Sequence, residues 1–225
     1  MIKKIAVIVA AGNGTRMGSA IPKQFLLLQQ KPILWHSIAV FQNSFPDIEI
    51  ILVIAPDHLS RSEEICKIAL FPERIRIVFG GDTRFESVKR GLAMANEDGI
   101  VFVHDAVRCL VTQKLLEHCY HIAKEKGSAV PAVVAQDSIR LEMNGKYEPA
   151  DRSKVRLIQT PQTFFLRPLK KAFQQPFDER FTDESVVAEK AGIPIHLIQG
   201  EETNIKITRP VDLLLAELIL KERCE

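Results

Sequence analysis

A glycine-rich turn with two cations beside it lies near the N-terminus of the chain. The segment IVAAGNGTRMGSAIPKQF runs from Ile8 to Phe25, and in it Gly12 and Gly14 follow a short apolar run. Backbone N–H groups in such a turn can bind a phosphate. Arg16 and Lys23 add two positive charges, which suit a reaction in which negative charge builds up on that phosphate. A tight turn with two solvated basic residues would explain the same letters without any chemistry.

Two common phosphate-binding loops do not fit this turn. A Walker loop has the pattern G-x4-G-K-[ST], but Met17 lies five positions after Gly12, and Gly18 is followed by Ser19 instead of lysine. A dinucleotide loop has the pattern G-x-G-x-x-G, and Met17 takes the third glycine position. The acidic residue that such a loop has about 20 positions later is also absent. A nicotinamide-dependent oxidoreductase is therefore only an outside alternative.

Apolar runs alternate with helical patterns over more than half of the chain. Continuously apolar runs are typical of parallel strands that are covered on both faces. The predicted strands are KIAVIVAA, IEIILVIAP, RIRIVFGG, GIVFVHDAV and SAVPAVVA, with a helix between each pair. This alternation predicts an α/β fold: a Rossmann-like, mostly parallel sheet with helices on both faces. Further on we predict a helix capped by Thr182, a strand in IPIHLIQG and a closing helix with Pro210 in its first turn.

A predicted β-hairpin interrupts this alternation. In SIRLEMNGKYEPAD, apolar and polar residues alternate and are followed by Asn144-Gly145, the strongest short signal for a hairpin turn. A lone two-stranded hairpin is marginally stable unless it packs on something. We therefore predict a protruding arm at about 137–156 that grips a second subunit and makes the protein a homodimer. A surface hairpin without function is the alternative.

The composition is that of an ordinary globular protein. The chain has 225 residues, of which 46% are hydrophobic and 26% charged, and we expect a single domain over 1–225. The net charge of +2 is too small to indicate a nucleic acid or an anionic membrane as a partner. No apolar run approaches the roughly 20 residues that span a bilayer.

The cysteines indicate a reducing compartment. Four cysteines are present and no two form a CxxC pair, so we expect reduced thiols and a cytoplasmic protein. The N-terminal MIKKIAVIVAA is like a minimal secretory signal. A first core strand explains these letters better, because the run leads directly into the glycine-rich turn.

Six motifs, in order, resemble those of the sugar-phosphate nucleotidyltransferases, and most closely the cytidylyltransferases of polyol phosphates. They are AAGNGTRMG…PKQF, GGDTRFESVKRGL, VHDAVR, QTPQTF, TDE and NIKIT, and they extend over nearly the whole chain. Six ordered motifs are far more specific than one glycine-rich turn. The hairpin arm of that family, which interlocks two subunits, also lies where this sequence predicts a hairpin.

The resemblance implies transfer of CMP from CTP to a polyol phosphate, with release of pyrophosphate. The acceptor's phosphate oxygen would attack the α-phosphate of CTP in line, so catalysis consists of positioning and charge neutralisation without a side-chain nucleophile. The expected acceptor is 2-C-methyl-D-erythritol 4-phosphate of the non-mevalonate isoprenoid pathway, and ribitol 5-phosphate is the alternative. The expected cofactor is Mg²⁺ or another divalent cation.

The resemblance also implies roles for the matching residues. The residues expected to bind the nucleotide are Ala10, Ala11, Gly12, Gly14, Gly81, Asp82 and Ser87. The expected catalytic residues are Arg16, Lys23, Arg152 and Lys206. Of these, Arg16 and Lys23 would stabilise charge at the α-phosphate. Arg152 and Lys206 would position the acceptor's phosphate, which a guanidinium can clamp with two parallel hydrogen bonds.

The remaining expected site residues lie on the acceptor side, and they are Asp105, Arg108 and Ser138. Asp105 is also the expected Mg²⁺ ligand, directly or through water. It ends a predicted parallel strand, where α/β sheets bind their ligands, and it offers the hard oxygen that this ion prefers. The arm would bring Arg152 or Ser138 to the neighbouring subunit's site. Thr182 and Asp183 match a family motif too, but helix capping explains them, and we leave them out of the site.

Two departures from the family's pattern concern the acceptor. Val107 and Cys109 stand where the family often has alanine and proline, and HDAVR also occurs in relatives that use ribitol 5-phosphate. Asp151-Arg152 before QTPQ favours methylerythritol phosphate. A nucleotide-binding module without chemistry is the alternative from another functional class. Such a module would be free to lose the cations at 16, 23, 152 and 206, and all of them are present.

Overall fold

The computed structural model describes residues 2–12 and 21–224. Its strands are β1 (Lys3–Ala10), β2 (Leu27–Leu28), β3 (Lys31–Pro32), β4 (Glu49–Ile54), β5 (Ile75–Phe79), β6 (Gly99–Asp105), β7 (Ser128–Val134), β8 (Ile139–Met143), β9 (Lys146–Ala150), β10 (Arg156–Ile158), β11 (Gln162–Phe165) and β12 (Leu197–Gln199). Its helices are α1 (Ile33–Ser44), α2 (Leu59–Lys67), α3 (Arg84–Met94), α4 (Gln113–Lys126), α5 (Leu166–Ala172), α6 (Glu184–Lys190) and α7 (Pro210–Cys224).

A mixed, mostly parallel sheet lies at the centre of the molecule. Its strand order is β10-β7-β11-β6-β1-β4-β5, and β12 pairs with β7 in parallel. The strands β6, β1, β4 and β5 are parallel, so their carboxyl ends meet at one edge, where Val9 lies beside Asp105 and Ala10 beside Ile54. β11 lies antiparallel between β6 and β7. The predicted α/β fold with a mostly parallel sheet is confirmed.

Helices cover both faces because the central strands are apolar on both sides. Successive residues of a strand belong to two separate clusters. Ile8 and Leu52 lie in the cluster that receives α1, α2 and α4. Val7 and Val53 lie in the cluster that receives α3, α5 and α6. Full burial of each such side chain contributes about 1.5–3 kcal/mol, which fixes the register of the strands and therefore the positions of their carboxyl ends.

The last helix, α7, packs beside the carboxyl end of β6. It closes a smaller cluster in which Ala216 is buried together with Leu28, Val107 and Ile207. Val107 lies two residues after the end of β6, and Ile207 follows Lys206, so this packing holds two segments that carry expected site residues. Neither α7 nor any other helix within residues 2–12 and 21–224 is long and apolar enough to cross a membrane.

The predicted hairpin is present as a separate two-stranded sheet. β8 and β9 pair antiparallel from Ile139 opposite Ala150 to Met143 opposite Lys146. Asn144 and Gly145 form the turn with φ of 53° and 76°, the left-handed values that a two-residue hairpin turn requires. Nearly all of its residues are exposed. Its action as a dimerisation arm stays a prediction.

One local expectation is wrong, and β2, β3, β10, β11 and α5 are elements that the sequence pattern did not predict. The predicted capping of α6 by Thr182 is wrong, because Asp183 is the N-cap. Its backbone is extended and its carboxylate accepts a hydrogen bond from the backbone N of Val186 at 3.1 Å. Among the unpredicted elements, β11 is only four residues long and follows Pro161, so it lacks the long apolar run that marks the predicted central strands.

Candidate active site

A hollow of about 230 Å³ lies at the carboxyl edge of the sheet. It opens where β1 and β6 end and where α3 begins, which is the usual ligand position in open α/β sheets. Its lining includes nine of the expected site residues: Ala10, Ala11, Gly12, Lys23, Gly81, Asp82, Ser87, Asp105 and Lys206. Gly14 and Arg16 lie outside the described residues.

The start of the glycine-rich turn is held by a buried glutamine. Gln24 is 2% exposed, and its Nε2 donates to the carbonyl oxygens of Ala10 at 2.9 Å and Gly12 at 3.1 Å. Gln24 belongs to a short helical turn that begins at Lys23. The chain that leaves β1 is therefore tied to the chain that brings Lys23 back to the hollow. Gln24 lies inside the quoted PKQF motif, but only its contacts reveal this function.

Asp105 carries the buried negative charge of the site. It ends β6 and is 8% exposed. Its Oδ1 lies 3.2 Å from Nη2 of Arg84, and its Oδ2 lies 2.8 Å from Nζ of Lys206. Burial alone would raise the pKa of Asp105, but the charges of Arg84 and Lys206 outweigh it and hold the pKa well below its usual range. The carboxylate is therefore ionised.

Arg84 is held by a second buried acid. Its guanidinium forms a two-pronged pair with the carboxylate of Glu184, which is fully buried at the start of α6. Burial raises the pKa of Glu184, and the charge of Arg84 opposes this. The pKa of Arg84 is raised, because Glu184 and Asp105 together outweigh its burial. Arg84 is therefore a fixed cation that links α3, α6 and the end of β6.

Arg84 and Glu184 are site residues that were not predicted from the sequence. Both lie in motifs that were singled out, GGDTRFESVKRGL and TDE. They are 100 positions apart, so only the fold shows that they form a pair.

A second hollow of about 170 Å³ adjoins the first. The two share Arg84, Asp105 and Lys206 in their lining. The second is also lined by Thr182 and Asp183, which were expected only to cap α6. Two neighbouring hollows with a common wall of charged side chains can hold two anionic ligands side by side.

Arg108 lines the second hollow but also supports the chain around it. Its Nη1 donates to the carbonyl of Asn204 at 2.8 Å, and its Nη2 donates to that of Ile158 at 3.4 Å. Buried Asn204 in turn donates from Nδ2 to the carbonyl of Thr160 at 3.0 Å. These bonds fix the segment that presents Lys206. Asn204 belongs to the NIKIT motif, but its buried amide was not predicted to have this function.

Ser138 and Arg152 lie apart from the other expected residues. They are exposed at the two ends of the hairpin, and neither lines either hollow. Nη1 of Arg152 donates to the backbone carbonyl of Gln136 at 2.6 Å. Within one chain the structure does not bring them to Asp105 and Lys206.

A hydrogen-bonded chain lies directly beneath Asp105. The backbone N–H of Asp105 donates to Oγ1 of Thr160 at 3.1 Å, and that hydroxyl lies 3.2 Å from Nδ1 of His104. Nε2 of His104 lies 3.2 Å from the carbonyl oxygen of Arg108, which can only accept, so Nε2 carries the proton. Nδ1 then accepts a hydrogen bond from the hydroxyl of Thr160. Every donor in this series of hydrogen bonds has an acceptor only when the imidazole is neutral. Burial lowers the pKa of His104 to about 4, which keeps it neutral.

Comparison with known proteins identifies the family of this chain. The family profile described as "IspD: 2-C-methyl-D-erythritol 4-phosphate cytidylyltransferase" matches residues 4–222. The chain belongs to the 2-C-methyl-D-erythritol 4-phosphate cytidylyltransferase family. Its similarity to the polyol-phosphate cytidylyltransferases is thereby confirmed over nearly the whole length.

Named members of the cytidylyltransferase family match along their full length. The 2-C-methyl-D-erythritol 4-phosphate cytidylyltransferase of Bacteroides thetaiotaomicron is 38% identical over 97% of this chain and 100% of its own. The Porphyromonas gingivalis enzyme of the same name is 41% identical over 97% and 98%. The crystal structure of the Francisella tularensis enzyme superposes with a TM-score of 0.76 at 30% identity, covering 96% of this chain and 99% of that one.

The neutral state of His104 predicts how stability depends on pH. The imidazole titrates near 6.5 in the unfolded chain and at about 4 in the folded protein, so the unfolded state binds the proton more readily. His104 therefore stabilises the fold above pH 6.5, and this contribution is lost as the pH falls from 6.5 to about 4. The full loss is up to about 3 kcal/mol.

Urea unfolding at several pH values between 4 and 7 measures this effect. His104→Gln should show a flatter fall in unfolding free energy than wild type, because it has no imidazole to protonate. The other titrating groups, Glu184 included, are common to both proteins and cancel in the comparison. Equal pH slopes for the two proteins would contradict the prediction.

Proposed function

We propose that this protein transfers CMP from CTP to 2-C-methyl-D-erythritol 4-phosphate and releases pyrophosphate. The observation that carries this proposal is the pair of adjoining hollows around Asp105, Arg84 and Lys206. One hollow is lined by Ala11 and Gly12, at the start of the glycine-rich turn, and by Lys23, which suits a triphosphate, and the other offers cations for a second phosphate. The family makes the reaction a cytidylyl transfer, which is a step of non-mevalonate isoprenoid synthesis.

In this reaction a phosphate oxygen of the acceptor attacks the α-phosphorus of CTP. A new P–O bond forms while the bond to the β-phosphate's bridging oxygen breaks, and pyrophosphate leaves with that electron pair. The protein orients the two phosphates in line and neutralises their charge. Lys23 lines the nucleotide hollow beside Gly12, where it would stabilise charge at the α-phosphate. A preorganised donor of this kind contributes about 10²–10³ in kcat. We propose the same role for Arg16.

Lys206 is the proposed cation for the acceptor's phosphate. In the structure Lys206 forms an ion pair with Asp105, and 39% of its side chain is exposed. It lines both hollows. An incoming phosphate can draw its ammonium away from Asp105. Arg84 remains on Asp105 when this happens, because Glu184 holds it from the other side. The aspartate therefore keeps a partner throughout.

Asp105 is the proposed ligand of Mg²⁺. Mg²⁺ is commonly bound by one or two carboxylates together with substrate phosphates, and Asp105 is a buried, ionised carboxylate on the nucleotide hollow. Within residues 2–12 and 21–224 no group of three His, Cys, Asp or Glu side chains could hold a metal by itself. The residues present therefore fit an ion that arrives with the triphosphate. When bound, Mg²⁺ supplies positive charge to the triphosphate oxygens.

A homodimer through the hairpin completes the proposal. Ser138 and Arg152 are the two expected acceptor-side residues that one chain keeps away from its own hollows. Leu141, Met143 and Tyr147 on the hairpin are each more than half exposed, which a subunit contact would cover. An arm that reaches the neighbouring chain would bring Arg152 to a phosphate there.

The cytoplasm is the proposed compartment. Cys66, Cys109 and Cys119 are unpaired thiols, and burial raises the pKa of Cys66 to about 11 and of the other two to about 12. Buried, protonated thiols of this kind suit a reducing environment.

The proposed activity predicts pyrophosphate release from CTP and Mg²⁺ only when methylerythritol phosphate is present. Lys206→Ala should lower kcat/KM by about 10²-fold, because the cation for the acceptor's phosphate is lost. Lys171→Ala, on the exposed surface of α5, is the matched control and should retain wild-type activity. A coupled pyrophosphate assay measures all three proteins.

Ribitol 5-phosphate is the decisive second acceptor in this assay. Faster release with ribitol 5-phosphate than with methylerythritol phosphate would contradict the proposed acceptor. Tight CTP binding with no release of pyrophosphate from CTP in the presence of either acceptor would contradict the proposed enzymatic activity.

The shared site predicts that two inactive variants complement each other. Arg152→Ala and Lys206→Ala chains, mixed under conditions that exchange subunits, should recover about a quarter of wild-type activity, because half of the dimers are mixed and each has one intact site. Each variant alone should stay nearly inactive. No recovery in a mixture proven to contain mixed dimers would place Arg152 in its own chain's site.

A further inference from the structure

The loop between β5 and α3 is held in place by side chains of α3. Arg90 donates from Nη1 to the carbonyl of Gly80 at 2.7 Å. Oε2 of Glu86 accepts from the backbone N of Asp82 at 2.9 Å. Gly81 lies between the two residues that are held in this way, Gly80 and Asp82, and it lines the nucleotide hollow. We infer that Glu86 and Arg90 are positioning residues that set the CTP-binding loop before the nucleotide arrives.

Neither side chain lines the nucleotide hollow. Both line a separate groove, between α3 and residues 174–177. Ser87, by contrast, lines the hollow, and its Oγ accepts from the backbone N of Gly81 at 3.1 Å. Glu86 and Arg90 therefore act on CTP only through the loop.

The loop fits tightly between α3 and the start of the glycine-rich turn. A Cβ added to Gly81 would lie 2.5 Å from Cβ of Glu86, and one added to Gly80 would lie 2.7 Å from Cβ of Ala11. Real Cβ atoms are not found at such distances, so both positions need glycine at their present spacing. A displacement of the loop would therefore alter the walls formed by Gly81 and Ala11 together.

Helix capping does not account for these two bonds. Thr83 is the N-cap of α3 and accepts from the backbone N of Glu86 at 3.1 Å. In a capping box the glutamate returns to the N–H of the cap residue, which would be Thr83. Here Glu86 reaches the preceding residue, Asp82, in the loop. Arg90 lies in the second turn of the helix and bonds Gly80, far from any cap position.

Preorganisation of the loop should appear in the affinity for CTP. A binding loop that is already ordered loses less conformational entropy on binding than a mobile one. The inference rests on the proposed function, since it assigns CTP to this hollow. Glu86→Ala and Arg90→Ala should each raise the Kd and KM for CTP roughly tenfold, as expected for the loss of a charge-assisted hydrogen bond. Both kcat and the KM for the acceptor should stay within about twofold of wild type.

The experiment combines CTP titration calorimetry in Mg²⁺ with steady-state kinetics on both substrates. Glu86→Gln keeps an acceptor oxygen and should retain most of the affinity for CTP. Glu86→Asp keeps the charge but is too short to reach the Asp82 amide, so it should behave like Glu86→Ala. This pair keeps the test decisive if an alanine variant fails to fold. Lys89→Ala, exposed on the same helix, is the matched control.

The outcomes separate the inference from the proposed function. A wild-type protein that neither binds CTP nor releases pyrophosphate would overturn both. A wild-type protein that does both, with Glu86 and Arg90 variants equal to it in CTP affinity, would overturn the inference alone. A lower kcat together with equal increases in the KM values for CTP and for the acceptor would indicate general structural damage, if Glu86→Gln were as impaired as Glu86→Ala. This result would also overturn the inference.

Discussion

The buried carboxylate of Asp105 at the end of β6 organises the rest of the site. An ionised acid at 8% exposure is unfavourable unless cations compensate it, and here Arg84 and Lys206 each bind one of its oxygens. The two cations differ in how firmly they are held. Arg84 is fixed by buried Glu184, whereas Lys206 is the more exposed partner. One cation is therefore structural, and the other is available to a substrate phosphate.

The parallel sheet is the reason that distant segments meet around this carboxylate. The register places Asp105 beside Val9, directly before the glycine-rich turn. The Gly80 amide bonds the carbonyl of Ile54 at 2.8 Å, which brings the loop before α3 to the same edge. Buried Asn204 and the packing of α7 then fix the segment that carries Lys206. The apolar strands thus determine where the charges lie.

The sequence predicted those features that are encoded locally. The long apolar runs predicted β1, β4, β5 and β6, and Asn144-Gly145 predicted the hairpin turn, because each signal lies within a few residues. The short β11 and the choice of Asp183 over Thr182 as N-cap escaped prediction, since they depend on neighbouring strands and on backbone geometry. The motifs indicated Asp105 and Lys206 as site residues. Their ion pair was not predicted, because the two residues are about 100 positions apart in the sequence. The pairing of Arg84 with Glu184 and the chain from Asp105 through Thr160 to His104 likewise follow only from the fold.

The most direct test of the account is a crystal structure of the protein with CTP and Mg²⁺. We predict that the cytosine lies against Gly81 and Ser87, the triphosphate beside Gly12 and Lys23, and the ion on Asp105. Arg84 should remain on Glu184 in that complex. CTP bound at another surface, with Asp105 still held between Arg84 and Lys206 and no ion near it, would contradict the central claim.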